Sequence, residues 1–310
     1  MRSVLIGAVE GTDDALRAMQ AAGYPPSLLA TFDPAIGPSR HVDYVDLAPL
    51  CDARTAVRHI DNVNDPAFVA EIVALAPEII FVIGWSQIVG SQIRAAAKRY
   101  TVGFHPTPLP RLRGRAPIAW TILSGAEDSG TSLFLIDGGV DTGAILAQDH
   151  FSLSPRETAA SLIEKNKISL GRMMMKLLPD LAAGVATAIP QSEENASYGA
   201  GRKPEAALID WSQPAQLIDR LVRAQSAPYA GAFTFTRKRK VTIWSVQPIE
   251  HQAHYYGALG QIVRYDEGKP VILCGGNSLL RLDHYTADGR AADFVFSGQI
   301  CFQNSLSEPV

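Results

Sequence analysis

The chain has 310 residues, of which 47% are hydrophobic and 19% are charged, and its formal net charge is −3. These values are typical of a globular protein that buries a core, with room for two domains or one large α/β domain. The small negative charge excludes a general electrostatic attraction to nucleic acid or to anionic membranes. No run of 18 apolar residues, CxxC pair or HExxH motif occurs in the sequence, so we expect a cytoplasmic protein with reduced cysteines, no membrane partner and no metal.

The first half of the chain has the pattern of an α/β domain. Apolar runs predict strands at residues 3–9, 28–32 and 78–85, with helical patterns between and after them. The third run is continuously apolar, which indicates a parallel strand covered by helices on both faces. Gly7 and Gly11 form GxxxG, which does not match the GxGxxG of dinucleotide-binding folds.

The second half of the chain indicates a change of domain. Residues 154–157, SPRE, form a capping box that predicts the start of a long amphipathic helix at Pro155. A polar stretch follows at 190–207, which we interpret as a linker after a first domain at 1–189. Residues 208–310 contain one helical pattern and several short strands separated by turns, which predicts a small β-barrel or sandwich.

Residues 103–117, GFHPTPLPRLRGRAP, place a histidine at the start of a stiff loop. Three alternating prolines exclude a helix or a central strand, because each removes a backbone N–H and fixes φ. The short strand predicted before them puts His105 at a carboxyl end, which is where ligands bind in open α/β sheets.

Asp141 lies in a glycine-rich turn after a neighbouring predicted strand, at 131–137. A carboxylate beside an imidazole raises the imidazole's pKa and orients the ring, as a general base requires. Alternatively, His105 and Asp141 each hydrogen-bond only to their own loop. A serine nucleophile in a GxSxG motif is missing, so the pair would activate a nucleophile carried by a substrate, an amine or water attacking a carbonyl.

Two long motifs, HPTPLPRLRGRAPIAWTILSG and SGTSLFLIDGGVDTGAILAQ, resemble the folate-dependent N-formyltransferases. This family includes methionyl-tRNA formyltransferase and the enzymes that formylate amino sugars on nucleotide carriers. RAQSAPYAGAFTF and PEAALIDWSQPA also resemble segments of the family, so the resemblance covers nearly the whole chain. It implies a Rossmann-like domain with a mainly parallel sheet that uses 10-formyltetrahydrofolate as formyl donor, followed by a smaller OB-like β-barrel.

The resemblance also implies the site residues. His105 and Asp141 match the family's catalytic histidine and aspartate. Two loops match those that hold the pterin, largely through backbone groups: Trp85, Ser86, Gln87, Ile88 and Val89 in the first, and Gly138, Gly139 and Val140 in the second.

Three further residues are candidates for substrate binding: Glu10, Thr107 and Arg115. Glu10 lies in a loop at a strand's carboxyl end and could reach an acceptor, or that loop could simply cap a helix. Arg115 could anchor an anionic group of a ligand or stabilise its own loop through backbone carbonyls. Arg111 and Arg113 are predicted to be solvated.

Gly103 departs from the family pattern, which has an asparagine at this position that donates hydrogen bonds to the developing oxyanion. Loss of such a donor costs about 10²–10³-fold in rate. Three explanations remain open. A donor from Trp85, Ser86 or Gln87 could replace it, or a backbone N–H or a water could use the space beside glycine. Otherwise, the protein binds a folate or a nucleotide without transferring the formyl group.

The sequence says less about the acceptor. A tRNA acceptor requires a broad basic surface, for which RKRK at 237–240 is one candidate, although it also fits a solvated hairpin turn. With the net charge of −3, we predict a small acceptor amine, an amino sugar on a nucleotide carrier. Methionyl-tRNA is the alternative acceptor, and water would make the protein a formyltetrahydrofolate hydrolase. A homodimer is compatible with the sequence.

Overall fold

The computed structural model describes residues 1–41, 43–236, 239–288, 290–291 and 301–303. The chain forms two compact units. Unit 1 comprises Met1–Pro117, Asp128–Ser152 and Ile163–Ala200, and unit 2 comprises Ile118–Glu127, Leu153–Leu162 and Gly201–Val310. The boundaries inferred from sequence, 1–189, 190–207 and 208–310, stay a prediction.

The described residues contain seven α-helices: α1 Glu10–Ala21, α2 Gly37–Arg40, α3 Pro66–Leu75, α4 Ser91–Ala96, α5 Pro117–Leu123, α6 Ala159–Ala183 and α7 Ala215–Ala224. The strands of unit 1 are β1 Ser3–Ile6, β2 Leu28–Thr31, β3 Ala56–His59, β4 Ile79–Val82, β5 Tyr100–His105, β6 Arg113–Gly114, β7 Asp128–Leu135, β8 Ile145–Ser152 and β9 Tyr198–Gly199.

Seven of these strands form one sheet in the order β3-β2-β1-β4-β5-β7-β8. The first five are parallel, whereas β7 and β8 are antiparallel to their neighbours. The strand order reverses between β1 and β4, as in Rossmann-like sheets. The predicted mainly parallel α/β fold is therefore confirmed.

Alternate residues of the central strands enter two separate hydrophobic clusters, because successive side chains point to opposite faces of a sheet. Leu5 and Phe81 belong to one cluster, and Val4 and Ile80 to the other. Two methionines of α6, Met173 and Met174, are buried in the first cluster. Both faces of the sheet are thus covered, as the continuous apolar runs predicted.

Helix α6 begins at Ala159, four residues later than predicted. The capping-box hydrogen bond does form, since the Ser154 N–H donates to the Glu157 carboxylate at 2.7 Å, but it closes only a turn. A second reciprocal cap follows: the Thr158 N–H donates to the Ser161 hydroxyl at 3.0 Å, and the Ser161 N–H donates to the Thr158 hydroxyl at 3.2 Å. This second cap sets the start of the helix.

Unit 2 contains an antiparallel sheet, which confirms a β-rich C-terminal domain. Its strands are β10 Ala232–Thr236, β11 Arg239–Ile249, β12 Ile262–Asp266, β13 Lys269–Cys274, β14 Ser278–Ala287 and β15 Arg290–Ala291. Their order is β10-β11-β14-β13-β12, with β15 pairing to β14. The OB-like character of this domain stays a prediction. In the described part of the chain, no helix is long and apolar enough to cross a membrane.

Candidate functional site

His105 is the last residue of β5 and only 5% exposed. Its Nε2 lies 2.8 Å from the carbonyl oxygen of Leu112. A carbonyl oxygen only accepts hydrogen bonds, so Nε2 carries the hydrogen. The Nδ1 atom of the neutral ring therefore presents its lone pair and is the nitrogen that can take up a proton.

Asp141 lies beside that nitrogen, with its Oδ2 atom 3.5 Å from Nδ1 of His105. The same oxygen accepts a hydrogen bond from the Gly114 N–H at 2.7 Å. The strand before Asp141 runs antiparallel to β5, so that its last residue, Leu135, pairs with Val102 and not with His105. The loop after β7 consequently has to return to His105. The structure thus brings together the two side chains that sequence motifs singled out.

Burial decides the protonation state of His105. It lowers the pKa of the imidazole, and this effect outweighs the rise caused by Asp141 and by the hydrogen bond to Leu112. The expectation that the carboxylate raises the pKa is thus correct for its own contribution but wrong for the net shift. The ring is neutral at neutral pH, which is the form that a general base needs.

The loop after His105 is held by buried hydroxyl groups. Thr107 is buried, and its hydroxyl donates to the Arg111 carbonyl at 2.6 Å. Ser132, on the neighbouring strand β7, donates to the Thr107 carbonyl at 2.9 Å and accepts from the Leu109 N–H at 3.0 Å. In the structure, Thr107 therefore supports the loop, and its role in substrate binding stays a prediction.

The prediction that Arg113 is solvated is wrong, because this residue is completely buried. Its guanidinium pairs with the Glu193 carboxylate at 2.9 Å and donates to the side-chain oxygen of Gln191 and the hydroxyl of Tyr198, each at 2.8 Å. Strand β6, which contains Arg113, pairs in parallel with β9. The partners come from a segment that is about 80 residues away and that the sequence indicated only as a polar linker.

The other charged candidates lie at the surface. Glu10 is the first residue of α1 and forms an ion pair with Lys167 at 3.0 Å. Arg111 pairs with Asp128 at 3.0 Å, and Arg115 is exposed. The roles proposed for Glu10 and Arg115 toward a substrate stay predictions.

The first predicted pterin loop, after β4, is anchored by two of its side chains. The amide of Gln87 donates to the Asp61 carbonyl at 2.7 Å, and its oxygen accepts from the Val63 N–H at 2.9 Å. Trp85 stacks on Phe32 with ring centroids 4.1 Å apart. Of the remaining residues, Ser86 is exposed, Ile88 is 84% exposed and Val89 is buried.

The second predicted pterin loop is exposed at Gly138, Gly139 and Val140. The Asp137 carboxylate closes it, since it accepts from the Gly139 N–H at 2.9 Å and from the Thr142 hydroxyl at 2.8 Å. Both predicted pterin loops are thus held by side-chain hydrogen bonds, and each has an exposed apolar side chain, Ile88 in the first and Val140 in the second.

Gly103 lies directly beneath two side chains of the neighbouring strand and loop. A Cβ atom at this position would be 2.9 Å from the Phe134 ring and 3.0 Å from Cγ1 of Ile136. The space beside the glycine is therefore filled by side chains. This argues against the explanation that a water or a backbone N–H in that space replaces the oxyanion donor. Among the side chains suggested as replacement donors, the Gln87 amide is engaged by the backbone of Asp61 and Val63. The Trp85 indole N–H is buried without a hydrogen-bond partner among the described residues.

Restoring asparagine at this position should destabilise the protein. We expect Gly103→Asn to lower the free energy of unfolding by about 1–3 kcal/mol, because the new side chain overlaps the Phe134 ring in a packed core. Urea denaturation of Gly103→Asn and of the double variant Gly103→Asn/Phe134→Leu measures the effect, and the second change should recover part of the loss. Equal stability of Gly103→Asn and the wild type would show that the ring moves aside freely.

A cavity of about 860 Å³ lies at the carboxyl ends of β2 and β3 and does not include His105 or Asp141. Its lining contains the carboxylates of Asp33, Asp61, Asp65 and Glu71. The arginine in the lining, Arg58, is paired with Glu71. Such a surface does not suit a phosphate group. Within the described residues, no group of three or more histidine, cysteine, aspartate or glutamate side chains is arranged to hold a metal ion.

Comparisons with known proteins agree with the motifs. A family model described as formyl transferase matches residues 27–177, and one described as formyl transferase, C-terminal domain, matches residues 202–294. The fold is similar to that of HypX from Aquifex aeolicus in complex with tetrahydrofolic acid, with 16% identity and a TM-score of 0.64. That match covers 92% of this chain but only 44% of HypX, so this chain spans less than half of that protein.

Two shorter proteins match over nearly their whole length. WlaRD, a sugar 3N-formyl transferase solved in the presence of dTDP and 5-N-formyl-THF, has 16% identity and a TM-score of 0.66, with 94% of this chain and 98% of WlaRD covered. Methionyl-tRNA formyltransferase from Clostridium thermocellum has 19% identity and a TM-score of 0.57, with 80% and 93% covered. At these identities, the structural matches show a shared fold.

Proposed function

Because the chain belongs to the formyl transferase family, we propose that it transfers a formyl group from 10-formyltetrahydrofolate to an amine. The observation that carries this proposal is the buried His105, whose Nδ1 lies 3.5 Å from the Asp141 carboxylate. A neutral histidine beside a fixed carboxylate is suited to removing a proton from an attacking amine.

The two pterin loops fit the proposed donor. Their exposed apolar side chains, Ile88 and Val140, would contact the flat aromatic part of a folate, while their hydrogen bonds keep each loop in place. HypX and WlaRD, whose structures contain a tetrahydrofolate and a formyl-tetrahydrofolate, share this fold. The folate supplies the formyl group: the bond between the formyl carbon and N10 breaks as the acceptor nitrogen bonds to that carbon, and N10 gains the proton that the acceptor amine gives up.

In the proposed mechanism, His105 takes the amine's proton at Nδ1. The hydrogen on Nε2 stays bonded to the Leu112 carbonyl, so the ring keeps its orientation during the proton transfer. The ring becomes positively charged, and the Asp141 carboxylate at 3.5 Å stabilises that charge. The Gly114 N–H holds the carboxylate oxygen in this position.

We propose that the acceptor is an amino sugar on a nucleotide carrier. The basic stretch at 237–240 gives little support to a tRNA surface. Lys240 lies 4.3 Å from the centre of the Phe233 ring, and Arg239 pairs with Asp288 at 3.3 Å. The other two residues of this stretch lie outside the described residues. The net charge of −3 also favours a small acceptor, because phosphate contacts dominate nucleic-acid affinity.

Formyl transfer can be measured directly by mass spectrometry. We expect that the protein, incubated with 10-formyltetrahydrofolate and a panel of nucleotide-linked amino sugars, adds one formyl group to a single sugar. Formylation of methionyl-tRNA instead would overturn the proposed acceptor and keep the transfer reaction. Formate release in buffer alone would indicate a hydrolase. Folate binding without modification of any acceptor would contradict a transferase and support a binding protein.

A further inference from the structure

Residues 189–199, which we call the bridging segment, are hydrogen-bonded to the loop that carries Asp141. The first residue of the segment exchanges two backbone hydrogen bonds of 2.8 Å with Ile145. Two residues further on, the Gln191 amide donates to the Asp141 carbonyl at 2.8 Å and to the Gly143 carbonyl at 2.7 Å. The segment is thus hydrogen-bonded both to the loop that carries Asp141 and to the first residue of the strand that follows this loop, β8.

The same segment also holds the loop that contacts His105. The Ser197 hydroxyl accepts from the Leu112 N–H at 2.9 Å, and the Ser197 carbonyl accepts from the Arg113 N–H at 2.9 Å. Leu112 is the residue whose carbonyl accepts the hydrogen on His105 Nε2. The bridging segment therefore joins the partner of each ring nitrogen of His105.

Gln191 is the side chain at which these two sets of contacts meet. While its nitrogen donates to the Asp141 loop, its oxygen accepts from Nε of Arg113 at 3.0 Å and from Nη2 at 2.8 Å. Both donors and the acceptor of the amide are therefore in use. Asp141 has a φ of 55°, a left-handed conformation that is unfavourable for a residue other than glycine. Such a conformation persists where surrounding contacts hold it.

We propose that Gln191 is a positioning residue for the reaction, because it holds the Asp141 loop so that the carboxylate stays beside Nδ1 of His105. The expected effect of Gln191 on the rate of formyl transfer rests on the proposed function. Its expected effect on the pKa of His105 does not. Residues that hold a reacting group in place can matter strongly, since a displacement of about 1 Å can cost about 10²-fold in rate.

The variant Gln191→Met tests this proposal in the full chain. Methionine is similar in length and uncharged, but it donates no hydrogen bond to the Asp141 and Gly143 carbonyls. We expect kcat to fall about 10- to 100-fold with little change in KM. Glu193→Gln is the matched control, since Glu193 also contacts Arg113 but is 72% exposed and does not touch the Asp141 loop. This control should stay close to the wild-type rate.

Titration of the His105 ring by NMR gives a measurement that needs no acceptor. The Asp141 carboxylate raises the pKa of His105, so moving it away in Gln191→Met should lower that pKa, in the same direction as Asp141→Asn. Glu193→Gln should leave it near the wild-type value. If Gln191→Met does not fold, Gln191→Asn keeps an amide that is one methylene too short to reach the loop, and the same lowering is expected.

Two results would overturn the proposal. One is a folded Gln191 variant in which His105 titrates as in the wild type. The other is a slowdown by Gln191→Met that is undiminished in an Asp141→Asn background, because a residue that acts through Asp141 has little left to contribute there. If the wild type transfers no formyl group, the proposed function fails while the NMR comparison still decides the role of Gln191.

Discussion

Replacing His105 with alanine should slow formyl transfer by about 10²–10⁴-fold, the range in which a positioned general base contributes. The variant lacks the nitrogen that takes up the amine proton in the proposed mechanism. Folate affinity should change little, because the residues proposed to hold the folate, 85–89 and 138–140, do not include His105. Single-turnover transfer followed by mass spectrometry, together with calorimetric titration of the folate, measures both quantities.

His105→Gln separates loss of the base from loss of packing. A glutamine amide can still donate a hydrogen bond toward the Leu112 carbonyl, which accepts from His105 in the wild type, but it cannot act as a base at neutral pH. This variant should therefore be as slow as His105→Ala while staying more stable in urea. A transfer rate near that of the wild type in either variant would mean that His105 only supports its loop.

Replacing Asp141 with asparagine should slow transfer by about 10²–10³-fold, because the amide does not stabilise the positive charge that His105 acquires in the proposed mechanism. The variant should also change the pH dependence of kcat/KM. Burial already lowers the pKa of His105, and Asp141 opposes that shift. Removal of the carboxylate charge lowers the pKa further, so His105 stays neutral to a lower pH. The acidic limb of the pH profile should accordingly move to lower pH while the plateau falls.

The matched control for this experiment is Asp137→Asn in the same loop. The Asp137 carboxylate accepts from Gly139 and Thr142, whereas Asp141 is the loop's carboxylate that lies 3.5 Å from His105 Nδ1. Asp137→Asn should loosen the loop without moving the acidic limb of the profile. A limb that shifts to higher pH in Asp141→Asn would contradict the electrostatic role that we assign to this carboxylate.

Local patterns in the sequence predicted much of the fold. Continuous apolar runs predicted the buried central strands, since side chains on both faces of a covered parallel strand are apolar. The capping box predicted a helix start only approximately, because the turn at Ser154 forms but a second cap at Thr158 sets the start. Strands β3 and β8 were not predicted, and both are partly exposed strands without a continuous apolar run.

Sequence motifs predicted only part of the candidate site. Prolines after His105 indicated a rigid loop, and the family motif indicated Asp141. Neither showed that β7 runs antiparallel to β5, nor that Arg113 is buried, because strand pairing and burial depend on partners far along the chain. Gln191 is a similar case, since a lone glutamine in a polar stretch has no local signature.

By itself, the sequence determined the α/β class and the stiff loop that begins at His105. These follow from the period of apolar residues and from the restricted backbone of proline, which act over a few neighbouring positions. The tertiary structure alone decided that burial lowers the pKa of His105, that Phe134 fills the space beside Gly103 and that Gln191 links the two loops. Each of these depends on which distant groups surround a residue, and solvent exclusion and contact are properties of the folded chain.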